Sequence, residues 1–217
     1  MTKKLIILGS GGHAHVLIDC LRALGKTPLG IIDPNKQRGE SSLFGLPVLG
    51  GDEAVFDYSP DETMLINGIG AMPGTNLRQT LYQRFSEAGF SFVTVVHPNA
   101  YVAEDAVLAE GVQVMAGAVI QAGSQLGNDC IVNTGACIDH DCRIAAHGHI
   151  SPGATLCGNV QLGEHVHIGS GAVIIQGLNI GANSVIGAGA IVTKTIGADM
   201  MVYPARSLIT TRKRQAS

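Results

Sequence analysis

The sequence contains no tryptophan, and aromatic residues make up only 4% of its 217 positions. Charged residues reach only 14%, whereas glycine occurs 29 times. Because a core without large rings must be filled by small and aliphatic side chains, this composition favours a repetitive architecture. The length allows one large domain or two small ones, and we expect two.

The sequence also lacks a dense stripe of lysine and arginine, and its formal net charge is −3. A nucleic-acid-binding protein normally carries such a basic stripe, so we expect no nucleic-acid partner. The three basic residues near the end, Arg212, Lys213 and Arg214, are interpreted as solvated, as charges at a chain terminus usually are.

No long hydrophobic run is present at the start, where the apolar stretch extends only from Leu5 to Leu8. Four residues are too few for a secretory signal or for a membrane span. We therefore expect a cytoplasmic protein without membrane insertion.

Cysteines are few, and no two of them form a CxxC pair. An odd number without such pairs argues against a disulfide framework and against a zinc ribbon. We predict that all five are reduced, small and mostly buried: Cys20, Cys130, Cys137, Cys142 and Cys157.

The most informative feature is a six-residue repeat of aliphatic residues in the second half of the chain. A period of six excludes an amphipathic helix, whose apolar stripe recurs every 3.6 residues, and it excludes simple strand alternation. Each position of the register is Val, Ile or Leu: Val102, Leu108, Val114, Ile120, Leu126, Val132, Ile138, Ile144, Ile150, Leu156, Leu162, Ile168, Ile174, Ile180, Ile186 and Val192.

This repeat predicts a left-handed parallel β-helix over residues 98–217. Each hexapeptide would form one short strand and turn one corner, so that three hexapeptides close a triangular coil. Residues eighteen apart in the sequence would then stack at the usual strand spacing of about 4.8 Å. Because no insertion interrupts the register, catalytic groups must project from the surface of the prism or come from a neighbouring subunit.

The first half begins with a different pattern. Lys3 to His15 reads KKLIILGSGGHAH, a buried-strand run followed by a glycine turn and a helical pattern. Strand, glycine turn and helix form a nucleotide-binding βαβ unit, in which backbone N–H groups at the helix start receive a phosphate. The third glycine of the GxGxxG motif is missing, so this turn alone does not distinguish a nucleotide site from a tight turn.

The elements that follow support a small Rossmann-like α/β domain over residues 1–97. We predict a second strand that ends at Asp33, a third strand that leads into Asn67 and Gly68, a helix at residues 76–88, and a last strand at residues 92–96. Polar residues and glycines at the ends of parallel strands indicate a crevice for a small ligand.

Four histidines of the repeat fall into two columns, because His147 and His165, like His149 and His167, are eighteen residues apart. Such columns could bind zinc. However, residues two apart on a strand lie about 7 Å apart, and no cysteine or carboxylate completes a tetrahedral site. We therefore predict no metal, and we interpret His165 and His167 as wall residues between adjacent subunits.

His140 differs from these histidines because Asp139 and Asp141 flank it. A carboxylate beside a histidine fixes its tautomer and raises its basicity. A base of this kind is needed when an amine or hydroxyl attacks a thioester, because the nucleophile must lose a proton. From the spacing alone, a solvated surface histidine remains an alternative.

Three segments carry a family resemblance: KKLIILGSGGHAHVLIDCL, NTGACIDHDCRIAAHGHISPGATLCGNV and IGAGAIVTK. They resemble the hexapeptide-repeat nucleotide-sugar acetyltransferases of the PglD/NeuD-like family. The chain is most similar to the bacillosamine-pathway N-acetyltransferases and to their sialic acid O-acetyltransferase relatives. The resemblance covers nearly the whole chain and involves both predicted domains.

The resemblance implies a homotrimer that holds acetyl-coenzyme A in the groove between two prisms. His140 would be the catalytic base and Asp141 the acid that supports it. The backbone near Gly158 would stabilise the oxyanion of the tetrahedral intermediate. Residues assigned to the coenzyme groove are Asn133, His149, Gly158, Gly169 and Gly187.

The resemblance further implies that the N-terminal domain binds a nucleotide-linked amino sugar. Asp33 and Lys36 match contacts to the nucleotide's base and phosphates. The residues assigned to this substrate are Gly11, Gly12, His13, Asp33, Lys36 and Gly68.

The favoured hypothesis is N-acetylation of the 4-amino group of a UDP-linked 4-amino-4,6-dideoxy sugar. O-acetylation of a sialic or related nonulosonic acid is an alternative, as is a GDP-linked amino sugar of the perosamine type. A non-enzymatic scaffold is a further class. The segment MVYPAR at residues 201–206 departs from the V-x-G-x-P-A-[KR] pattern of the family, which leaves the contacts to the adenine end of coenzyme A open.

Overall fold

The computed structural model describes residues 3–41 and 43–205. The first part is an α/β unit and the second a prism of short strands, as predicted. The basic residues at positions 212–214 and the last residue of MVYPAR lie outside the described residues. Neither α-helix of the described part is long and apolar enough to cross a membrane.

The N-terminal domain contains one five-stranded parallel sheet in the order β3-β2-β1-β4-β5. Its strands are β1 (Lys4–Leu8), β2 (Gly30–Ile32), β3 (Val48–Gly50), β4 (Thr63–Asn67) and β5 (Ser91–Phe92). Its helices are α1 (Gly12–Ala23) and α2 (Leu77–Glu87), with short 3-10 turns at Leu43–Gly45 and Asp52–Asp57.

The two helices cover opposite faces of this sheet. On one face Leu17 and Leu21 of α1 pack against Ile7 and Ile66, and on the other Phe85 of α2 packs in a separate apolar cluster. The chain leaves β1 toward β2 and β3 and later returns to place β4 on the other side of β1. Ligands of open α/β sheets bind at such a reversal of strand order, outside the carboxyl ends of the strands.

The predicted strand at residues 92–96 is split between two sheets. Phe92 ends β5, which pairs with β4 of the N-terminal sheet, whereas Val95 begins β6, which pairs with β9 of the prism. Val93 and Thr94 therefore make the change from one domain to the other. The expected boundary between residues 97 and 98 lies just after the first strand of the prism.

The prism is a left-handed parallel β-helix of three sheets, in which all strands are two residues long. The docking sheet consists of β6, β9, β12, β15, β18, β21 and β23, the second sheet of β7, β10, β13, β16, β19 and β22, and the third sheet of β8, β11, β14, β17 and β20. The strands are β6 (Val95–Val96), β7 (Tyr101–Val102), β8 (Val107–Leu108), β9 (Gln113–Val114), β10 (Val119–Ile120), β11 (Gln125–Leu126), β12 (Ile131–Val132), β13 (Cys137–Ile138), β14 (Arg143–Ile144), β15 (His149–Ile150), β16 (Thr155–Leu156), β17 (Gln161–Leu162), β18 (His167–Ile168), β19 (Val173–Ile174), β20 (Asn179–Ile180), β21 (Val185–Ile186), β22 (Ile191–Val192) and β23 (Met201–Val202).

The register agrees with the predicted stacking of residues eighteen apart. Ile120 pairs with Ile138, and Ile138 pairs with Leu156. Every aliphatic position of the repeat from Val114 to Val192 is buried in one continuous core, and Val102 and Leu108 of the first coil are partly buried against it. Burial of each such side chain contributes roughly 1.5 to 3 kcal/mol before chain entropy is subtracted.

The corners of the coils show a regularity that the aliphatic repeat did not predict. The residue three positions after each inward-facing aliphatic from Leu108 to Ile186 has a positive φ, such as 57° at Asp129, 59° at Asp141 and 61° at His147. Glycine, asparagine, aspartate and histidine tolerate this left-handed conformation better than other residues do. These residue types at every sixth position are the signal in the sequence that marks the corners.

Candidate active site

The carboxyl ends of β1 and β4 lie side by side, and the surface outside them is called the nucleotide crevice, after the ligand that the sequence predicts. Gly9 has a φ of 86°, and Gly11 is the N-cap of α1 without any side-chain cap. A Cβ added at Gly11 or Gly12 would meet no atom within 4 Å. The free N–H groups of the first turn are therefore accessible, and they suit an anion such as a diphosphate.

The acidic residue predicted beside this crevice is already bound within the chain. Asp33 is 8% exposed; it accepts hydrogen bonds from the Ser10 hydroxyl and from the backbone N–H of Asn35. Ser10 belongs to the glycine turn, so Asp33 ties β2 to that turn. Lys36 lies nearby but pairs with Glu40 at 3.6 Å, and its side chain remains partly accessible for a ligand.

Gly68 follows β4 and has a structural requirement of its own. A Cβ at this position would lie 2.5 Å from the carbonyl oxygen of Leu8. Since glycine alone allows this close approach, Gly68 brings the end of β4 against the end of β1, where the crevice is formed.

A buried polar network joins the N-terminal domain to the prism. Arg78 of α2 forms a 2.7 Å ion pair with Asp129, a corner residue of the prism, and the two side chains are 6% and 0% exposed. Asp129 also accepts hydrogen bonds from Asn67 and His147, and Arg78 donates to the carbonyl oxygens of Asn67 and Ile69. These bonds satisfy most donors and acceptors of the pair, as a buried charge pair requires. Nε of Arg78 alone in this pair has no partner among the described residues.

His13 reaches the prism from the glycine turn. Its Nε2 lies 2.7 Å from Oε1 of Gln113 on β9, and Nε2 of Gln113 donates to the carbonyl oxygen of Asn67 at 2.8 Å. Burial lowers the pKa of His13 from 6.5 to about 4, and the nearby Arg78 acts in the same direction. His13 is therefore neutral near pH 7.

His149 is also buried between the domains. Its Nδ1 donates to the carbonyl oxygen of Ala71 at 2.8 Å, and its ring meets that of His167 edge-on, with centroids 4.7 Å apart. Burial, followed by the neighbouring His167, lowers the pKa of His149 to about 4. Nε2 of His149 is buried and has no hydrogen-bond partner among the described residues.

The predicted histidine columns are present and border a cavity of about 430 Å³. The rings of His147 and His165 stack with centroids 4.8 Å apart and planes 3° from parallel. Within one chain, His165 and His167 face the segment 71–76 of the N-terminal domain across this cavity. In the described parts of the chain, no three histidine, cysteine or carboxylate side chains converge as metal ligands would.

His140 and Asp141 lie at the corner between β13 and β14. Nδ1 of His140 is 2.9 Å from a carboxylate oxygen of Asp141, and the two side chains are 59% and 66% exposed. This hydrogen bond is the main reason that the pKa of His140 is raised above its usual value. The ring extends over Gly158, where an added Cβ would lie 2.5 Å from the Cε1 atom.

The other residues assigned to the coenzyme groove have distinct surroundings. Asn133 accepts the backbone N–H of Thr134 through Oδ1, which leaves its amide N–H groups as donors. Gly169 and Gly187 have packing reasons of their own: an added Cβ would lie 2.6 Å from the carbonyl oxygen of Ile186 in one case and 2.9 Å from that of Val202 in the other.

The structure thus distributes the predicted residues over three places. Asn133, Gly169 and Gly187 lie at corners between the docking sheet and the second sheet. His13 and His149 lie along the docking sheet, beside the nucleotide crevice. His140 lies at the corner between the second and third sheets, which is the vertex opposite the docking sheet in a triangular prism. Arg78, Asp129 and Gln113 were missed as functional candidates, because only the docking of the two domains brings them together.

The lowered pKa values of His13 and His149 predict a stability that depends on pH. An unfolded histidine binds a proton near pH 6.5, whereas these two bind it only near pH 4. The unfolded state therefore holds more protons between these values, and the free energy of unfolding should fall as pH decreases from 6.5 to 4. Denaturant titrations across this range would measure the slope.

A double variant with His13→Gln and His149→Gln should show a smaller slope over the same range. His97→Gln is the control, because the ring of His97 accepts its hydrogen bond from the backbone N–H of Asn99 in its own segment. An unchanged slope in the double variant would contradict this assignment.

Comparison with known proteins places these features in a family. Residues 4–85 match the PglD N-terminal domain family. The UDP-N-acetylbacillosamine N-acetyltransferase of Bacillus subtilis (strain 168) is 37% identical over 121 residues, or 52% of this chain and 52% of that protein. The matched region therefore spans about half the length of this curated relative.

Two solved structures are similar over nearly the entire chain. A histidine-to-alanine variant of the GDP-perosamine N-acetyl transferase from Caulobacter crescentus, in complex with CoA and GDP-perosamine, is 39% identical over 93% of each chain, with a TM-score of 0.85. The acetyltransferase domain of PglB from Neisseria gonorrhoeae FA1090, in complex with acetyl coenzyme A, is 35% identical over 96% of this chain and all of that one, with a TM-score of 0.85. From its glycine turn to its last coils, the chain belongs to the PglD-like family of hexapeptide-repeat nucleotide-sugar acetyltransferases.

Proposed function

We propose that the protein transfers an acetyl group from acetyl-coenzyme A to the 4-amino group of a nucleotide-linked 4-amino-4,6-dideoxy sugar. UDP is the proposed carrier, and His140 is the proposed base. The observation that carries this proposal is the hydrogen bond between His140 and Asp141 at an exposed corner of the prism.

This hydrogen bond determines what the imidazole can do. A carboxylate oxygen accepts, so Nδ1 of the neutral ring carries the proton and Nε2 keeps its lone pair. Nε2 can then take the proton that the amine loses while its nitrogen bonds to the acyl carbon. The C–S bond of the thioester would break next, and coenzyme A would leave as a thiol with the proton returned by His140. Asp141 stabilises the positive charge that develops on His140 during this transfer.

Gly158 makes room for the ring of His140, because a side chain at this position would collide with the imidazole. Acetyl-coenzyme A would supply the acyl group in activated form. The N–H groups of the prism backbone near Gly158 would hold the oxyanion, and Asn133, with its free amide donors, would line the same groove. His149 would contact the acetyl thioester in that groove.

The positions of the two sites support assembly of the chain with itself. The nucleotide crevice lies on the docking-sheet side of the prism, and His140 lies at the opposite vertex. One chain therefore does not bring the amino sugar to its own base, whereas a neighbouring prism could. We propose a homotrimer in which each groove is formed by two prisms, acting in the cytoplasm.

A GDP-linked amino sugar of the perosamine type is the second candidate for the acceptor. It is favoured by the similarity, over 93% of the chain, to an enzyme that was solved with CoA and GDP-perosamine. O-acetylation of a nonulosonic acid is a further alternative that the same assay addresses.

The assay mixes the protein with acetyl-coenzyme A and a panel of UDP-linked and GDP-linked 4-amino sugars and a sialic acid, and it measures the release of free thiol. We expect turnover with a UDP-linked 4-amino sugar. His140→Ala should lower this turnover by about 10² to 10⁴. His97→Ala is the control, because it removes an imidazole that has no role in the proposed reaction. If no acceptor releases coenzyme A, or if His140→Ala retains its rate, the proposal is wrong.

The role of Asp141 predicts a shift of the pH profile. Because the base must be neutral, kcat/KM should rise with pH through the raised pKa of His140. Asp141→Asn preserves the left-handed backbone, which asparagine also tolerates, but it removes the charge. The acidic limb should move to lower pH, and the plateau rate should fall about ten-fold as the base weakens.

Asp139→Asn is the matched control for this experiment. Asp139 accepts a hydrogen bond from the backbone N–H of His140 and not from its ring. Its replacement should therefore shift the acidic limb of the pH profile less than Asp141→Asn does. Equal shifts in the two variants would show that Asp141 acts only through its charge and not through the ring hydrogen bond.

A further inference from the structure

Gln113 is an outward-facing residue of the prism that penetrates the N-terminal domain. It occupies β9 of the docking sheet and is 0% exposed. Its side chain connects two groups of the nucleotide crevice, the imidazole of His13 and the carbonyl oxygen of Asn67. An amide at a fully buried position needs both of its hydrogen-bonding ends satisfied.

The chemistry of these two bonds fixes the orientation of every group. The carbonyl oxygen of Asn67 can only accept, so the amide nitrogen of Gln113 must face it. Oε1 of Gln113 therefore faces His13 and can only accept, so Nε2 of His13 must carry the proton. In a neutral imidazole, Nδ1 is then left as an acceptor.

We propose that Gln113 is a positioning residue for nucleotide-sugar binding, because it holds His13 in the Nε2-protonated tautomer. This inference rests on the proposed function, and it deepens that function by assigning the chemistry that His13 recognises. Nδ1 of His13 has no partner among the described residues, and it meets a hydroxyl or amine hydrogen of the bound nucleotide sugar. The phosphates are left to the backbone N–H groups of the glycine turn.

Packing alone does not explain a glutamine at this position. Ile131, which pairs with Gln113 on the next coil, points outward from the same sheet and is also fully buried. An apolar side chain therefore suits this interface. A packing role could be filled by an apolar side chain, whereas a positioning role requires the amide, because only the amide forms hydrogen bonds with His13 and Asn67.

The first test is a double-mutant cycle with Gln113→Met and His13→Ala. Gln113→Met keeps the length of the side chain and removes both hydrogen bonds. Dissociation constants for UDP, for GDP and for the amino sugar turned over in the acceptor assay would be measured by calorimetry. Gln161→Met is the control, since Gln161 occupies the same position of the repeat but is exposed.

We expect Gln113→Met to weaken binding about ten-fold in the otherwise unchanged protein, as the loss of a hydrogen bond of about 1.4 kcal/mol would. On the His13→Ala background it should weaken binding by less than about two-fold, because the two residues act together. A loss with UDP or GDP places the hydrogen on the nucleoside, and a loss with the full nucleotide sugar alone places it on the sugar. Equal losses on both backgrounds, or no loss, would overturn the proposal.

The second test needs no substrate and therefore stands apart from the proposed activity. Nitrogen-15 NMR of the histidine-labelled protein reports which ring nitrogen carries the proton, and the His13 signals are those that disappear in His13→Ala. We expect protonated Nε2 and bare Nδ1 in the unaltered protein, and a mixture of tautomers in Gln113→Met. A proton on Nδ1 in the unaltered protein would overturn the proposal, even if Gln113→Met does not fold.

Discussion

The register of the inward-facing aliphatic residues is the constraint on which the rest of the structure depends. Because every sixth residue must point into the prism, the positions of the outward-facing residues and of the corners are fixed as well. Asp129 and His147 stack at one corner, and His140 lies over Gly158 at another. A one-residue shift of register between two adjacent coils would separate Asp129 from His147, or His140 from Gly158, because it turns side chains to another face.

The contact between the two domains depends on buried polar groups, most of which have hydrogen-bond partners. Among the described residues, Nε of Arg78 and Nε2 of His149 have none. Arg78 and Asp129 form its charged centre, and the neutral rings of His13 and His149 extend it on the docking sheet. Removing one member of such a network leaves its partner buried and unpaired, which costs more than the bond itself contributes. The network therefore holds the nucleotide crevice in one position relative to the prism, as transfer between fixed groups requires.

The sequence predicts the repeating parts well, because the repeat is a local signal that recurs in every coil. The strands, the stacked histidines and the pair His140 and Asp141 follow from spacing within a few residues. Gln113 and Arg78 could not be predicted in the same way, because their partners are up to 100 residues away and meet only when the domains dock. The change of sheet at Val93 and Thr94 could not be predicted either, because the residues before and after it both form strands.

The most direct test of the central claim is an experimental structure of the protein with coenzyme A and the amino sugar identified by its activity. We predict that the 4-amino nitrogen lies within about 3.2 Å of Nε2 of His140. The nucleotide should occupy the crevice of a neighbouring copy, with its phosphates at the start of α1. An amine that lies beyond the reach of His140 from every copy, or a nucleotide bound away from the glycine turn, would contradict the account.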